Sequence, residues 1–147
     1  MWRRHCFHSN LDCDVKLPLR DMYQDEAPML KKLDDTSARL RDRVRAARDL
    51  AWARRAKAGQ AIQLSCLHLP GACVIHMPGE LFVEYQLAAA GMQPAATVCM
   101  AAYGDYGPGY IGTEIAYTQG GYETGYVSRT APAVEKVLLE GMAELLK

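Results

Sequence analysis

The sequence predicts an α/β fold in which helices flank a mixed β-sheet. Residues 61–69 alternate between apolar and polar side chains, the period of a half-buried strand. Residues 34–58 show helical spacing, and residues 72–102 have the pattern strand, helix, strand, a unit typical of α/β sheets. Half of the 147 residues are hydrophobic, so one domain can bury a core.

The first predicted element is a strand at residues 12–17. Cys13, Val15 and Leu17 would share one face. Pro18 ends the strand or places it at a sheet edge. No other strand pattern occurs before residue 61, so this strand pairs with a distant segment or with something outside the chain.

Two helices are predicted between residues 20 and 58. Pro28 suits the first turn of a helix that runs to about residue 33. Residues 34–37 offer several N-caps for a longer helix, and Gly59 suits its C-terminal end. An apolar stripe on the longer helix is formed by Leu40, Val44, Ala47 and Ala51, with Trp52 at its edge.

The other side of the longer helix is basic. A solvated face and a nucleic-acid-binding helix both have this appearance. The 17 basic and 17 acidic residues of the chain cancel, so we predict no nucleic-acid or membrane partner. The basic residues are Arg39, Arg41, Arg43, Arg45, Arg48, Arg54, Arg55 and Lys57, and the acidic residues on the same side are Asp42 and Asp49.

The cysteines predict reduced thiols and favour a cytoplasmic protein. They are odd in number and contain no CxxC pair, so neither a zinc knuckle nor a disulfide framework is indicated. No apolar run approaches the roughly 20 residues of a membrane span, and we predict no transmembrane segment. The five cysteines are Cys6, Cys13, Cys66, Cys73 and Cys99.

Residues 61–76 are predicted to form a β-hairpin. Pro70 and Gly71 supply a turn between the alternating strand and a short apolar strand at residues 72–76. Cys66 and His68 would share the face that carries the apolar side chains. Histidines at strand ends are more often structural or surface residues than ligands, and both roles stay open for His68 and for His76, which ends the second strand.

Glu80 follows this hairpin and has two possible roles. A helix is predicted over residues 80–90, and an acid in its first turn would be stabilised by the helix dipole. Alternatively, Glu80 lies where a strand turns into a helix, the place where α/β sheets put their sites. The inward residues of this helix would be Leu81, Phe82, Tyr85, Ala88 and Ala89.

A buried strand at residues 97–102 is followed by a loop at residues 103–113. If this strand is parallel to residues 72–76, the loop emerges at the same sheet end as Glu80. Gly104, Gly107 and Gly109 would let the loop backbone approach another group closely. They do not match a dinucleotide or P-loop fingerprint. A last helix is predicted over residues 132–146, with Val134, Val137, Leu138 and Leu145 inward.

Three segments resemble the C-terminal part of the neutral/alkaline ceramidase family, and its shorter bacterial members in particular. They are residues 78–82 (Pro-Gly-Glu-Leu-Phe), 106–113 (Tyr-Gly-Pro-Gly-Tyr-Ile-Gly-Thr) and 119–123 (Gln-Gly-Gly-Tyr-Glu). The likeness covers residues from about 61 to the C-terminus well and the preceding helices more loosely.

The resemblance implies a zinc-dependent amide hydrolase that cleaves ceramide to sphingosine and a fatty acid. It implies that Glu80 and Tyr110 are zinc ligands, and that Tyr122 and Glu123 lie near the site as supporting or substrate-contacting residues. The implied substrate is a lipid amide or a small-molecule amide.

The family's two zinc histidines and its serine lie far upstream of the Pro-Gly-Glu motif, whereas only 79 residues precede Glu80 here. His5, His8, His68 and His76 lie outside the family's histidine motifs. We therefore predict that residues 1–147 are the C-terminal portion of a larger α/β sandwich catalytic domain, inactive alone and completed by an upstream segment or subunit. The alternative is a non-catalytic α/β module or partner subunit that retains the fold.

Overall fold

A computed structural model of the protein describes residues 9–105 and 107–147. His5, Cys6, His8 and Tyr106 lie outside the described residues. The predicted fold class is confirmed: a four-stranded mixed sheet is flanked by helices. None of the helices within the described ranges is long and apolar enough to cross a membrane.

The main sheet contains β1 (Ser9–Val15), β2 (Ile62–Leu69), β3 (Ala72–His76) and β5 (Thr97–Ala101), in that spatial order. The β1–β2 and β2–β3 pairs are antiparallel, and β3 pairs with β5 in parallel. The predicted hairpin and the parallel arrangement of β3 and β5 are therefore both confirmed.

The N-terminal strand pairs with the distant β2, and Val15 is the register partner of Ile62. It begins and ends earlier than the predicted residues 12–17. The partner of β1 therefore belongs to the same chain. The pairing of β1 gives no indication that the chain is incomplete.

Two helices, α1 (Ala27–Asp34) and α2 (Leu40–Lys57), follow β1 after a short 3-10 turn at Asp21–Tyr23. Pro28 lies in the first turn of α1, as predicted. The predicted N-cap of α2 is wrong, since Arg39 holds that position. Asp35 instead accepts hydrogen bonds from the backbone and side chain of Ser37. Gly59 follows α2 with φ +67°, the left-handed conformation expected after a helix end.

The apolar stripe predicted for α2 is wrong. Leu40 is 73% exposed and Val44 is 48% exposed. The buried face is formed instead by Ala46, Asp49, Leu50, Trp52 and Ala53. An ion pair between Asp49 and Arg129 accounts for the error, because it lets a carboxylate lie on the buried face.

The predicted helix over residues 80–90 begins later, because residues 80–81 form a strand. This short strand, β4 (Glu80–Leu81), pairs in parallel with β6 (Tyr110–Ile111), and α3 (Val83–Met92) follows β4. Glu80 is therefore not an acid in a first helical turn. Three elements were not predicted from the sequence: β4, β6 and the helix α4 (Glu114–Gln119).

The last helix, α5 (Val134–Leu145), agrees with its prediction. Val134, Leu138 and Leu145 are buried in the main core, and Val137 packs against it. Both α5 and α3 lie against the inner face of the sheet, where they cover Leu64, Ile75 and neighbouring residues.

The strand β5 lies at an edge of the sheet, and only Val98 of its five residues is buried. The prediction of a buried strand here is therefore wrong. Cys99 is exposed on it. An apolar strand at an edge is a surface on which another chain can pair.

Candidate functional site

The β4–β6 pair brings Glu80 and Tyr110 together. The two residues are register partners in a parallel ladder. Direct partners lie about 4.8 Å apart and project their side chains to the same side. The pair extends the parallel β3–β5 unit beyond the carboxyl ends of its strands. Both side chains are half-buried, and their role as metal ligands stays a prediction.

Two glycines give this pair its backbone geometry. Gly79 has φ +64° and Gly109 has φ +72°, conformations that L-residues with side chains adopt at a cost. A Cβ on Gly79 would lie 2.6 Å from the Gly109 carbonyl oxygen, and one on Gly109 would lie 2.2 Å from the Val127 carbonyl oxygen. Because neither glycine has a Cβ, the two segments lie close enough for the Glu80 N–H to donate to the Gly109 carbonyl at 2.9 Å.

A buried ion pair joins this end of the sheet to α2. The Arg129 Nε donates to the Asp49 Oδ1 at 2.6 Å, and both side chains are almost entirely buried. Arg129 also donates from its Nη1 to the Gly107 carbonyl, and its backbone N–H donates to the Pro108 carbonyl. One side chain therefore fixes the loop that leads to Tyr110 relative to a helix far away in sequence.

Three tyrosines form a row along this surface. The ring of Tyr110 meets Tyr122 edge to face with 5.9 Å between centroids, and Tyr122 meets Tyr126 in the same way at 6.0 Å. The guanidinium of Arg45 lies 4.6 Å from the Tyr126 ring centroid. Tyr122 thus contacts Tyr110, and Glu123 is exposed in the same segment. The predicted supporting or substrate role of both residues remains a prediction.

Tyr110 also lines an open cavity of about 560 Å³ between α2 and the loops. The cavity combines guanidinium groups with aromatic rings, so it suits a ligand that carries an anionic or strongly polar group beside an apolar one. The interpretation of the basic side of α2 as a solvated face is incomplete, because part of that side borders this cavity. The lining residues are Leu40, Arg41, Val44, Arg45, Arg48, Gly109, Tyr110, Tyr122, Tyr126, Val127 and Arg129.

A second ion pair fixes the start of the same loop. The guanidinium of Arg55 donates two hydrogen bonds to the Asp105 carboxylate, at 3.2 and 2.6 Å. These bonds hold the pKa of Asp105 below its ordinary value, because they stabilise the ionised form. The carboxylate also accepts a hydrogen bond from the Gly107 N–H, so it organises the turn that enters the glycine-rich loop.

Among the described residues, Glu80 does not belong to a group of three His, Cys, Asp or Glu side chains that could share an ion. Structural zinc has four ligands, and catalytic zinc has three protein ligands and a water molecule. Within residues 9–105 and 107–147, the group of three His, Cys, Asp or Glu side chains close enough to share an ion is Cys66, His68 and Cys73.

Sequence spacing did not indicate the Cys66–His68–Cys73 group, because its two cysteines are seven positions apart and do not form a CxxC pair. A sequence signal did exist. A two-residue turn at Pro70 and Gly71 makes Leu69 the partner of Ala72, which places His68 opposite Cys73. Asp49 and Arg129 were also missed, and nothing in their sequence spacing links them.

Comparison with known proteins supports the fold at a coarse level. No family model and no curated protein matches the chain. Three chains of solved structures match. One, described as "Ceramidase complexed with C2", has a TM-score of 0.51 and 16% sequence identity. The match covers 58% of this chain and 14% of the ceramidase chain. Over that part of its length the protein therefore has a fold similar to part of a ceramidase, and the match spans about one seventh of the ceramidase chain.

Proposed function

We propose that this chain is the C-terminal portion of a zinc-dependent amide hydrolase of the neutral ceramidase type. Glu80 and Tyr110 would each contribute one oxygen ligand, and the remaining ligands would come from an upstream segment or a partner subunit. The observation that carries the proposal is the direct register pairing of Glu80 with Tyr110. The similarity of the fold to part of a ceramidase supports it.

The residues of this chain have distinct roles in the proposed site. As register partners, Glu80 and Tyr110 would present the carboxylate and the hydroxyl on one side of the β4–β6 pair, and Gly79 and Gly109 hold the backbone of that pair. Tyr122 packs on Tyr110 and restricts its ring orientation. Zinc, when bound, would lower the pKa of a coordinated water and polarise the amide carbonyl.

The arginine- and tyrosine-lined cavity would receive the substrate beside Tyr110. Its guanidinium groups would attract the carboxylate of a released acid, and its rings would pack against apolar groups of the substrate. The proposed substrate class is a lipid or small-molecule amide, with ceramide as the first compound to test. The four described cysteines are free thiols, and we place the protein in the reducing cytoplasm on that basis.

A phenolate measurement tests the ligand role of Tyr110. Adding Zn²⁺ to the purified chain should produce the ultraviolet difference spectrum of an ionised tyrosine, because a coordinated phenol loses its proton far below its free pKa of about 10. Tyr110→Phe and Glu80→Gln should remove the signal. Tyr103→Phe, which alters an exposed tyrosine of the same loop, should keep it. A signal that persists in Tyr110→Phe would refute the assignment.

Activity tests the proposal that the chain is incomplete. The chain alone should release no fatty acid from an N-acylsphingosine. A mixture with the polypeptide encoded immediately upstream should hydrolyse it, and Glu80→Ala in this chain should abolish the reaction. Hydrolysis by the chain alone would overturn the proposed division of the site.

The alternative is a non-catalytic α/β module that serves as a partner subunit. It is favoured because, among the described residues, Glu80 is not part of a group of three His, Cys, Asp or Glu side chains that could share an ion. Under this alternative the mixture would associate but remain inactive.

A further inference from the structure

The inner face of the β2–β3 hairpin carries two cysteines and one histidine. His68 is the register partner of Cys73, and Cys66 lies two residues before His68 on the same face of β2. One ligand atom from each of the three residues lies within 4.8 Å of the others. Both cysteines are buried, and His68 is half-buried. Cys73 and His68 lie near the start of β3, whereas Glu80 lies beyond its end.

The hydrogen bonds of His68 define which ring nitrogen is free to bind. Its Nε2 lies 2.8 Å from the Leu145 carbonyl oxygen. A carbonyl oxygen only accepts, so Nε2 carries the hydrogen and the Nδ1 of the neutral ring presents its lone pair. That Nδ1 lies 3.5 Å from the Cys73 Sγ. Histidines that bind metals typically have this arrangement, in which the second nitrogen donates to a carbonyl or carboxylate.

The strand register argues against a disulfide between the two cysteines. Cys66 is opposite Ile75, and Cys73 is opposite His68, so the two cysteines are diagonal neighbours. Diagonal positions in an antiparallel pair lie about 7–8 Å apart. Disulfides require Cα atoms within about 7 Å, so oxidation would have to distort the hairpin. A cation that bridges the two sulfurs has no such requirement.

We propose that Cys66, His68 and Cys73 form a binding site for a thiophilic divalent cation of the Zn²⁺ class. The ligand atoms would be the two Sγ atoms and the His68 Nδ1, with the fourth tetrahedral position open to water or another donor. In a tetrahedral site with Zn–S distances near 2.3 Å, the two sulfurs lie about 3.8 Å apart. Modest side-chain rotations would bring the observed atoms to that spacing.

The charge balance suits a buried position. Binding replaces the two thiol protons with one divalent cation, and two Cys–SH groups become thiolates as about two protons pass to solvent. The resulting cluster of Zn²⁺ with two thiolates and a neutral imidazole has no net charge. The carbonyl end of α5, where Leu145 lies, adds a partial negative charge that favours a cation. Because binding releases thiol protons, it is expected to strengthen as the pH rises.

Cobalt titration tests this site separately from the Glu80–Tyr110 site. Co²⁺ added without oxygen to the reduced, chelator-treated chain should give a thiolate-to-cobalt charge-transfer band that saturates at one equivalent and is displaced by Zn²⁺. Cobalt bound by carboxylate and phenolate oxygens gives no such thiolate band. The band should therefore persist in Glu80→Gln, whether or not the proposed hydrolase function is correct.

Matched variants locate the ligands. Cys73→Ser and His68→Gln should each weaken Co²⁺ binding by about 100-fold or more, since even supporting residues of metal sites contribute 10–100-fold. Cys99→Ser, which changes an exposed thiol on β5, should bind normally. The His68 variant keeps the test valid if Cys73→Ser does not fold, because His68 is half-buried and a glutamine amide can still donate to Leu145.

Two results would overturn the proposal. The first is the absence of a charge-transfer band in the folded wild-type chain with reduced thiols. In that case the group would serve only to hydrogen-bond the end of α5 through His68. The other is a band that survives both Cys66→Ser and Cys73→Ser or disappears in Cys99→Ser. Release of about two protons per Zn²⁺, measured in weakly buffered solution, should accompany binding.

Discussion

The two ends of the β3 strand present different chemistry on different kinds of scaffold. Beyond its carboxyl end, Glu80 and Tyr110 supply oxygen donors from a short ladder held by glycine loops and by Arg129. Near its amino end, His68 and Cys73 supply nitrogen and sulfur from a regular hairpin. The first arrangement depends on a few long-range contacts, whereas the second follows from a repeated backbone pattern. We therefore expect single substitutions to damage the first end much more than the second.

Asp49→Ala should have the largest effect. It leaves the buried guanidinium of Arg129 without its carboxylate, and breaking a buried pair in this way costs about 3–5 kcal/mol of unfolding free energy. Chemical denaturation measures the loss. As a control beside the hairpin end, Glu144→Ala removes an exposed contact to Cys13 and should change stability by less than about 0.5 kcal/mol. A loss below about 1 kcal/mol in Asp49→Ala would show that the pair does not hold the loop.

Gly109→Ala and Gly71→Ala compare the two ends directly. Both glycines have a positive φ, at +72° and +78°. A Cβ at Gly109 would lie 2.2 Å from the Val127 carbonyl, whereas one at Gly71 meets nothing within 4 Å. We expect a loss of about 3 kcal/mol for Gly109→Ala and about 1 kcal/mol for Gly71→Ala, which has backbone strain alone. Equal losses in denaturant titrations would mean that the loop relaxes around the new methyl group.

The smallest expected effect is on the loss of stability at acidic pH. This loss should come in part from Asp105, at the start of the loop at residues 103–113. The folded-state pKa of Asp105 is lowered, so its contribution to stability is present above the unfolded pKa of about 3.9 and is lost as the pH falls through the folded value. Arg55→Gln should reduce the loss of stability below about pH 4. Lys136→Gln, at an exposed position on α5, should follow the wild-type curve. Unfolding followed by circular dichroism across this pH range would detect the difference, and identical curves for Arg55→Gln and the wild type would contradict it.

The elements that the sequence predicted well have strong local signals. Alternating polarity and the Pro70–Gly71 turn defined the hairpin, and Pro28 marked the first turn of α1. The errors occurred where tertiary contacts change the meaning of a residue. Asp49 appeared to belong to a polar face but is buried by Arg129, which is 80 positions away in the sequence. Glu80 appeared to begin a helix, but pairing with Tyr110 extends the chain there.

Two further features could be predicted only in part. The parallel order of β3 and β5 indicated that Glu80 and the loop at residues 103–113 emerge at one sheet end. The direct pairing of Glu80 with Tyr110 depends on Gly79 and Gly109, which have positive φ angles and pass too close to backbone carbonyls to carry a Cβ. The arginines of α2 could be assigned to a polar face, but the cavity that they border requires the packing of that helix against the tyrosine row.

The sequence by itself determined the α/β class, the β2–β3 hairpin and the apolar face of α5, because short-range periodicity and turn chemistry depend on neighbouring residues alone. The tertiary structure decided which face of α2 is buried and that Glu80 lies beside Tyr110. It also placed the His68 Nε2 against the Leu145 carbonyl. The physical reason is that each of these features results from a contact between segments far apart in the chain. Such a contact can stabilise a buried carboxylate, a left-handed glycine or one histidine tautomer that local preferences do not select.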